Sequence, residues 1–253
     1  MSFSAFFRSL LISTCVLLCT TAYATTPYKD TTDPYENYNR HAFNMNQKLD
    51  KVVFKPVATA YNTVLPWPAK KGISNFFSNL NMIPTVINDI LQGNIHNTAS
   101  DSWRFLINST VGILGLVDVA SHIDLPAHSE DLGLTLAKWG YKDSRYLVLP
   151  IFGPSTLRDT FALPIDYEVT SIYPYIVPTS LRYSLISLNF TSKRAQLLDF
   201  EGVIDQASFD PYTFQRNAYL QRRTYLIRQN NEEQVDPYIA EEGNEHPVNM
   251  DIN

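Results

Sequence analysis

Apolar residues recur every three to four positions along most of the chain between residues 33 and 228. The first such run consists of Tyr35, Tyr38, Ala42, Met45 and Leu49. This spacing places side chains on one face of an α-helix, whereas strict alternation indicates a β-strand. Only residues 146–151 read as a strand, so the pattern predicts an all-α fold.

Proline and aspartate mark where helices should begin. Asp33-Pro34 and Asp210-Pro211 each combine a capping side chain with a proline at the first helical position. Gly93 suits a helix C-terminus. Further helices are predicted to open at Pro56, Pro68 and Pro84 and to cover residues 100–107, 130–139, 178–188 and 192–204.

The predicted helices are short. The uncharged stretches at residues 105–117 and 169–181 have 13 residues each, well below the roughly 20 apolar residues that a transmembrane helix needs. Short packed helices can still satisfy their own backbone groups in lipid. The pattern therefore leaves open a soluble body and a compact body that lies in a membrane without a spanning helix.

The first 24 residues are typical of an export signal. Arg8 is followed by an apolar segment at 10–18, and Ala22-Tyr23-Ala24 is a small-x-small cleavage pattern. We therefore predict a signal peptide at residues 1–24, cleavage after Ala24 and a helical domain at residues 25–230.

The two cysteines, Cys15 and Cys19, both lie inside this segment, so a cleaved chain would have no disulfide and no thiolate metal ligand. The residues before Cys19 fit a lipidation signal badly. Those before Cys15 fit it better but leave a very short apolar segment. Cleavage after Ala24 is the favoured prediction, and lipidation at Cys15 is the alternative.

Charge is unevenly distributed. The chain has a net charge of -5, but residues 231–253 hold seven acidic residues and no Lys or Arg. This composition predicts a disordered acidic tail. Residues 25–230 have 19 basic and 18 acidic residues, a net of +1, so no basic surface for nucleic acid is expected.

The sequence does not predict an enzyme. Gly153-Pro154-Ser155 begins like a nucleophile elbow, but Leu157 stands where the second glycine belongs, and Ser155 reads more simply as a helix cap. His122 and His128 alternate with Asp124 and Glu130 at a spacing that matches no metal motif, so they read as a polar loop. We expect no catalytic residue, metal or cofactor.

Gly112, Gly115 and Asp118 stand in an apolar context. The glycines permit a close helix contact or a sharp turn. A carboxylate there needs a partner, and either Arg104 or Arg158 could provide it. We expect a structural buried pair.

Taken in order, many short segments resemble the MlaA/VacJ family over about residues 33–228. Those with an expected structural role are Asp33-Pro34, Arg40, Arg104, Gly112, Gly115, Asp118, Arg158-Asp159 and Asp210-Pro211. Four others, Phe43, Asn44, Asn79 and Asn108, are the candidates for contact with lipid in a channel.

The resemblance implies a compact, ring-like bundle of short amphipathic helices embedded in the outer membrane of a Gram-negative bacterium and facing the periplasm. Such a body would carry misplaced phospholipids from the outer leaflet through an amphipathic channel. It would associate with trimeric porins and pass lipid to a periplasmic carrier similar to MlaC. Family members are typically lipoproteins, and the poor lipidation signal departs from that pattern.

Two other functions are weighed against phospholipid transport. One is a soluble periplasmic helical protein that binds a ligand or acts as a scaffold. The other is a lipid hydrolase, because dispersed carboxylates, hydroxyls and imidazoles can converge in a folded chain.

Overall fold

The computed structural model describes residues 33–142, 144–201 and 210–232. The predicted signal peptide with Cys15 and Ala24, and nearly all of the predicted tail, lie outside these residues. The α-helices in the described ranges are α1 (Glu36–Leu49), α2 (Lys55–Val64), α3 (Trp67–Gln92), α4 (Ile95–Thr110), α5 (Leu132–Lys138), α6 (Leu157–Ile165), α7 (Thr179–Leu197) and α8 (Pro211–Glu232). Helix α8 extends two residues beyond the predicted domain boundary at residue 230.

Shorter elements connect these helices. The π-helices are Asp50–Phe54 and Asp166–Thr170, and the 3-10 helices are Ala120–Ile123, Tyr173–Tyr175 and Leu198–Phe200. An antiparallel hairpin of β1 (Tyr146–Leu149) and β2 (Gly153–Thr156) is the one sheet in the described part of the chain. The all-α prediction is therefore confirmed, with this hairpin as its exception.

Two predicted helix boundaries are wrong. Pro84 does not open a helix but lies inside α3, and the predicted break between residues 188 and 192 lies inside α7. A proline removes one backbone donor from a helix. Helix α3 nevertheless continues, because the turn around Pro84 contributes Met82, Thr85 and Asn88 to the buried interior. Tertiary packing outweighs the local cost of the proline.

The two Asp-Pro pairs differ in role. The amide of Tyr212 donates to Asp210 Oδ1 at 3.2 Å, as expected for a cap at the start of α8. Asp33 was predicted to cap α1 in the same way, and this is wrong. Helix α1 begins at Glu36 after Tyr35, and the carboxylate of Asp33 points into the protein, where it is 2% exposed.

The hairpin was only half predicted. Residues 146–149 form β1, as the apolar run indicates, but β2 contains Gly153 and Pro154, which are unfavourable in a strand. Gly153 adopts a φ of 85°, which lets the chain turn back onto β1. Sequence reasoning missed β2 because its pairing comes from the turn and not from its own propensity.

The apolar core is small. It joins α1, the hairpin and α8 through Phe43, Tyr146, Val148 and Tyr212, with Ala42 beside them. The rings of Phe43 and Tyr212 lie edge to face with centroids 5.7 Å apart, and those of Tyr146 and Tyr212 at 6.3 Å. This cluster fixes the first and last described helices against the hairpin.

Candidate functional site: a polar interior beneath an apolar surface

Most of the interior is polar. Asn39, Asn88, Asp89, Asp101 and Arg158 are each at most 1% exposed. A buried polar group is costly unless it has a hydrogen-bond partner. The organisation of this interior therefore depends on the contacts of these side chains.

The surface exposes many large apolar side chains. Large hydrophobic side chains are exposed on several helices and connecting segments, including Val177 at 83%, Ile95 at 82%, and Trp67 and Phe152 at 71% each. Extensive exposed apolar surface in a folded protein marks a contact with a partner or with lipid. No helix in the described ranges is both long enough and apolar enough to cross a membrane.

Helix α8 contributes one polar face to the interior. Tyr219 donates to Asp159 Oδ2 at 2.7 Å, and Arg223 Nη2 lies 2.8 Å from Asp159 Oδ1 and 3.0 Å from Asp131 Oδ1. Tyr212, Tyr219 and Arg223 recur at helical spacing. Although burial acts in the opposite direction, the contacts with Arg223 hold the pKa of Asp131 below its usual range. The helix is therefore fastened by ion pairs and hydrogen bonds.

Asp33 accepts hydrogen bonds from the N-terminal half of this α8 face. Asn39 Nδ2 donates to Asp33 Oδ1 at 2.8 Å, Arg216 Nη1 lies 3.3 Å from Oδ2, and the Tyr212 hydroxyl donates to the same oxygen. Asn39 Oδ1 in turn accepts the amide of Val148 at 2.8 Å. Asp33 thus links α1, β1 and α8.

A second polar group surrounds Glu130 at the other end of α8. Gln92 Nε2 donates to Glu130 Oε2 at 2.7 Å, and Asn230 Nδ2 donates to the same oxygen at 2.9 Å. Thr135 donates to Asn88 at 2.7 Å and also accepts from Gln92. Burial raises the pKa of Glu130 despite these amide donors.

Asp89 on α3 and Asp101 on α4 form a buried acidic pair beside Glu130. Oδ2 of each aspartate is buried and lacks a hydrogen-bond donor, and His128 Nδ1 lies 3.2 Å from Asp101 Oδ1. Burial, together with the negative charges of Asp101 and Glu130, raises the pKa of Asp89 to about 8. This shift favours the protonated, uncharged form of Asp89.

Asp118 pairs with Arg104 and not with Arg158, which instead contacts Asp159 at 3.0 Å. Asn108 Nδ2 also donates to Asp118 Oδ1 at 3.0 Å. Burial alone would raise the pKa of Asp118, but hydrogen bonds from Ser121 and Asn108 and the charge of Arg104 hold it below its ordinary value. The expected structural pair is thus present between α4 and the following loop.

Gly112 and Gly115 form a sharp turn after α4. A Cβ on Gly112 would lie 2.2 Å from the Val117 carbonyl oxygen, and one on Gly115 would lie 2.5 Å from Asn79 Cβ. Gly115 also has a φ of 87°. Both positions need glycine, because the backbone passes too close to its neighbours for any side chain.

The four candidates for contact with lipid lie in different environments. Phe43 is buried in the aromatic cluster, and Asn44 beside it is exposed. Asn79 donates to Ser109 at 2.8 Å, and Asn108 Oδ1 accepts the amide of Ala120 at 2.9 Å. Asn44 is thus the one candidate of the four whose side chain faces outward, and the assignment of all four to a channel stays a prediction.

The groups considered for catalysis or metal binding have other contacts. Ser155 was predicted to cap a helix, and this is wrong. It lies in β2 with its hydroxyl 3.0 Å from that of Thr160, and Thr156 caps α6 instead. His122 Nδ1 lies 2.9 Å from the Asp118 carbonyl oxygen. The described residues contain no group of three metal-ligating side chains.

Arg223 was not singled out from the sequence. Its importance follows from its place 11 positions after Tyr212 on the inner face of α8, together with Tyr219. Such a polar stripe is normally read as a solvated surface. Gly133 was also missed, although a Cβ there would lie 2.3 Å from Asp159 Oδ1 and 2.7 Å from Arg223 Nη2.

Residues 31–226 match the family model of the MlaA lipoprotein. The chain is 33% identical over 216 residues to the intermembrane phospholipid transport system lipoprotein MlaA of Escherichia coli (strain K12), which covers 83% of this chain and 84% of that protein. It is also 35% identical over 197 residues to an uncharacterized protein of Rickettsia prowazekii (strain Madrid E), 78% of each chain.

A solved structure has the same fold. That structure is described as the structural basis for maintenance of bacterial outer membrane lipid asymmetry. It matches this chain with a TM-score of 0.67 and 33% sequence identity. The match covers 77% of this chain and 98% of that chain. The similarity therefore extends over nearly all of the solved chain.

Proposed function

The chain belongs to the MlaA lipoprotein family, and on this basis we propose that it transports phospholipid between the membranes of a Gram-negative bacterium. In this proposal it lies in the outer membrane, facing the periplasm. It removes misplaced phospholipids from the outer leaflet through an amphipathic channel and so maintains lipid asymmetry.

The observation that carries the proposal is the inverted arrangement of polar and apolar side chains. A phospholipid headgroup crosses hydrocarbon only at a large desolvation cost. A body with apolar side chains outside, such as Trp67, Ile95 and Val177, can rest among acyl chains. Its polar interior, exemplified by Asn39 and Asn88, keeps hydrogen-bonding groups away from the lipid. A ring-like bundle of this composition would lower the cost of moving a headgroup.

The proposed partners follow from the family. They are phospholipid, trimeric porins in the outer membrane and a periplasmic carrier that receives the lipid. Two alternative forms of the N-terminus are proposed, a lipid anchor at Cys15 and a chain cleaved after Ala24. Both are compatible with transport, since the exposed apolar surface supplies a membrane contact of its own.

No covalent bond changes in this function. Transport needs a path with low desolvation cost, and it needs no nucleophile or metal. We therefore propose that the chain is not an enzyme. The soluble scaffold and the lipid hydrolase are the alternatives that an experiment has to separate from transport.

The test uses outer membranes from cells with and without the gene. Deletion should increase phospholipid in the outer leaflet, and the native protein should resist salt extraction yet dissolve in detergent, because apolar contacts hold it. Incubation with labelled phospholipid should leave the lipid intact. Release of the protein by salt would favour the soluble scaffold, and stoichiometric lysophospholipid would favour the hydrolase.

Mass spectrometry of the mature N-terminus from the same membranes separates the two anchoring forms. Cleavage after Ala24 gives an unmodified chain that begins at Thr25. Lipidation gives an acylated cysteine at the N-terminus. Either result leaves the transport proposal intact, since the two forms differ only in how the chain is attached.

A further inference from the structure

The acidic pair of Asp89 on α3 and Asp101 on α4 is buried with an unpaired oxygen on each side. The two residues are 1% and 0% exposed, and their carboxyl groups lie within hydrogen-bonding reach of each other. Within the described ranges, Oδ2 of each group is buried and has no hydrogen-bond donor. Two ionised carboxylates are unfavourable in this arrangement, because each is removed from water and each repels the other.

The charged groups of the neighbouring helices do not neutralise the acidic pair. Arg104 on α4 and Arg223 on α8 are both directed to other aspartates. Lys138 is the charged residue of α5 and lies at the last position of that helix. The π-helix that packs against α3 adds a further acid, Asp166, which accepts a backbone amide at 3.0 Å. The surrounding helices therefore leave the charge of the pair uncompensated.

The loop at residues 124–131 brings one imidazole and one more carboxylate to the acidic pair. His128 Nδ1 lies 3.2 Å from Asp101 Oδ1, and the negative charge of Glu130 acts on Asp89. An unperturbed imidazole is mostly neutral above about pH 6.5. At neutral pH, the loop therefore adds more negative than positive charge.

A single proton between the two carboxyl groups satisfies both requirements. It turns one Oδ2 into a donor and the other into its acceptor, and it leaves the pair with one negative charge instead of two. Closely spaced carboxyl groups commonly hold a proton in this way. Burial and the negative charges of Asp101 and Glu130 raise the pKa of Asp89 to about 8, which favours the same protonated state.

The charge of the acidic pair also bears on how the loop at residues 124–131 is held. The loop contacts α3 through Glu130, which accepts from Gln92 Nε2 at 2.7 Å. It contacts α4 through His128 and Asp101. Glu130 is itself buried beside the pair, so a second negative charge on the pair would repel the residue that fastens the loop.

We propose that Asp89 and Asp101 share one proton, and that this proton latches the loop at residues 124–131 onto α3 and α4. When the proton leaves, two adjacent negative charges face Glu130, and the loop opens toward solvent. This acid latch is a pH-sensitive device within the fold. It stands apart from the proposed function, because it concerns proton binding and not lipid.

The direction of the pH response follows from proton binding. A solvated aspartate loses its proton near pH 4, whereas closed Asp89 retains it up to about pH 8. Between these values the closed latch holds a proton that the open loop releases. The ratio of open to closed loop should therefore rise by up to about tenfold for each pH unit, and it should level off above pH 8.

Infrared spectroscopy of the full chain in detergent tests whether the proton is shared. At pH 7 the native protein should show the C=O stretch of a protonated carboxyl group. Asp89→Asn and Asp101→Asn should each remove it, because an amide at either position can donate to the remaining carboxylate. Asp124→Asn, at an exposed position, should retain it. If the stretch persists in Asp101→Asn, or is absent from the native protein, the shared proton is wrong. Circular dichroism verifies that the variants fold.

A glutamate-specific protease tests the latch, since the bond after Glu130 is accessible only when the loop opens. Mass spectrometry identifies this cleavage, and a glutamate-containing peptide normalises the protease activity at each pH. From pH 5.5 to pH 7.5, the cleavage rate of the native chain divided by that of Asp89→Asn should rise more than about tenfold. A constant ratio would show that the proton does not control the loop, whatever the infrared result.

Discussion

Arg104 Nη2 lies 2.7 Å from both carboxylate oxygens of Asp118, and its Nη1 donates to the Leu125 carbonyl oxygen at 2.6 Å. The arginine is 4% exposed. One guanidinium therefore joins α4 to the residues on either side of the 3-10 helix Ala120–Ile123. Because Asp118 directly follows the turn at residues 111–117, this pair also fixes the end of that turn.

Arg104→Gln should destabilise the protein strongly. It leaves the partly exposed Asp118 without its positive partner, and losing a charge-assisted hydrogen-bond pair of this kind costs about 1.5–3 kcal/mol. Chemical unfolding in detergent, followed by circular dichroism, measures this loss. Lys55→Gln is the control, because the Lys55–Glu201 pair is more exposed and should contribute about 1 kcal/mol or less. Equal losses in the two variants would contradict the prediction.

Gly115→Ala and Gly93→Ala separate steric overlap from backbone strain. Both glycines have a positive φ, but a Cβ meets Asn79 only at Gly115 and meets nothing within 4 Å at Gly93. Gly93→Ala should cost about 1–2 kcal/mol from the left-handed backbone alone. Gly115→Ala should cost about 1–3 kcal/mol more because of the overlap. Unfolding midpoints measured side by side test the difference, and similar midpoints would exclude the steric explanation.

Asp89→Asn should change how stability depends on pH. Aspartate in an unfolded chain loses its proton near pH 4, whereas folded Asp89 retains it up to about pH 8. The folded state therefore binds more protons between these values, and stability contributed by Asp89 falls as pH rises through this window. The variant lacks this titration.

The measured quantity is the unfolding free energy of Asp89→Asn minus that of the native sequence. It should increase from pH 5 to pH 8 by on the order of 1 kcal/mol per pH unit. Asp124→Asn, at an exposed position, controls for the removal of one carboxylate. A constant difference across the pH range would show that burial does not control Asp89.

Phe43 and Asn44 provide a test of the channel prediction. Phe43→Ala should cost about 3–5 kcal/mol, because the ring is packed against Tyr212 in the core. Asn44→Ala removes an exposed side chain and should leave the melting temperature within about 2 °C. If Asn44 contacts lipid, this variant should change outer-leaflet phospholipid at normal protein abundance. Unchanged lipid asymmetry would remove Asn44 from the channel candidates.

The sequence predicted the local features of this fold well. The start of α8 at Asp210-Pro211 and the end of α3 at Gly93 follow from capping rules, because these signals act within one turn of the helix. The turn at Gly112 and Gly115, and the pairing of Asp118, were also within reach of local reasoning. Arg104 and Arg158 could not be distinguished, since the choice depends on distance in the folded chain.

Long-range pairing was beyond the same reasoning. Asp33 had every local feature of a helix cap, yet its carboxylate bonds to Tyr212 and Arg216 on the last described helix. Arg223 likewise has a pattern typical of a solvated face. In a protein whose interior is polar, the usual rule that buried faces are apolar does not identify the inner face of a helix.

The polar face of α8 has a consequence for how the chain is made. Asp33, Asp131 and Asp159 all take partners from α8, which is synthesised after each of them. Until α8 arrives, these acids lack the partners that it supplies, and burying them is unfavourable. We therefore expect the new chain to remain open until α8 docks. A prematurely terminated chain would stay exposed to proteases, so completion of synthesis itself controls when this protein becomes compact.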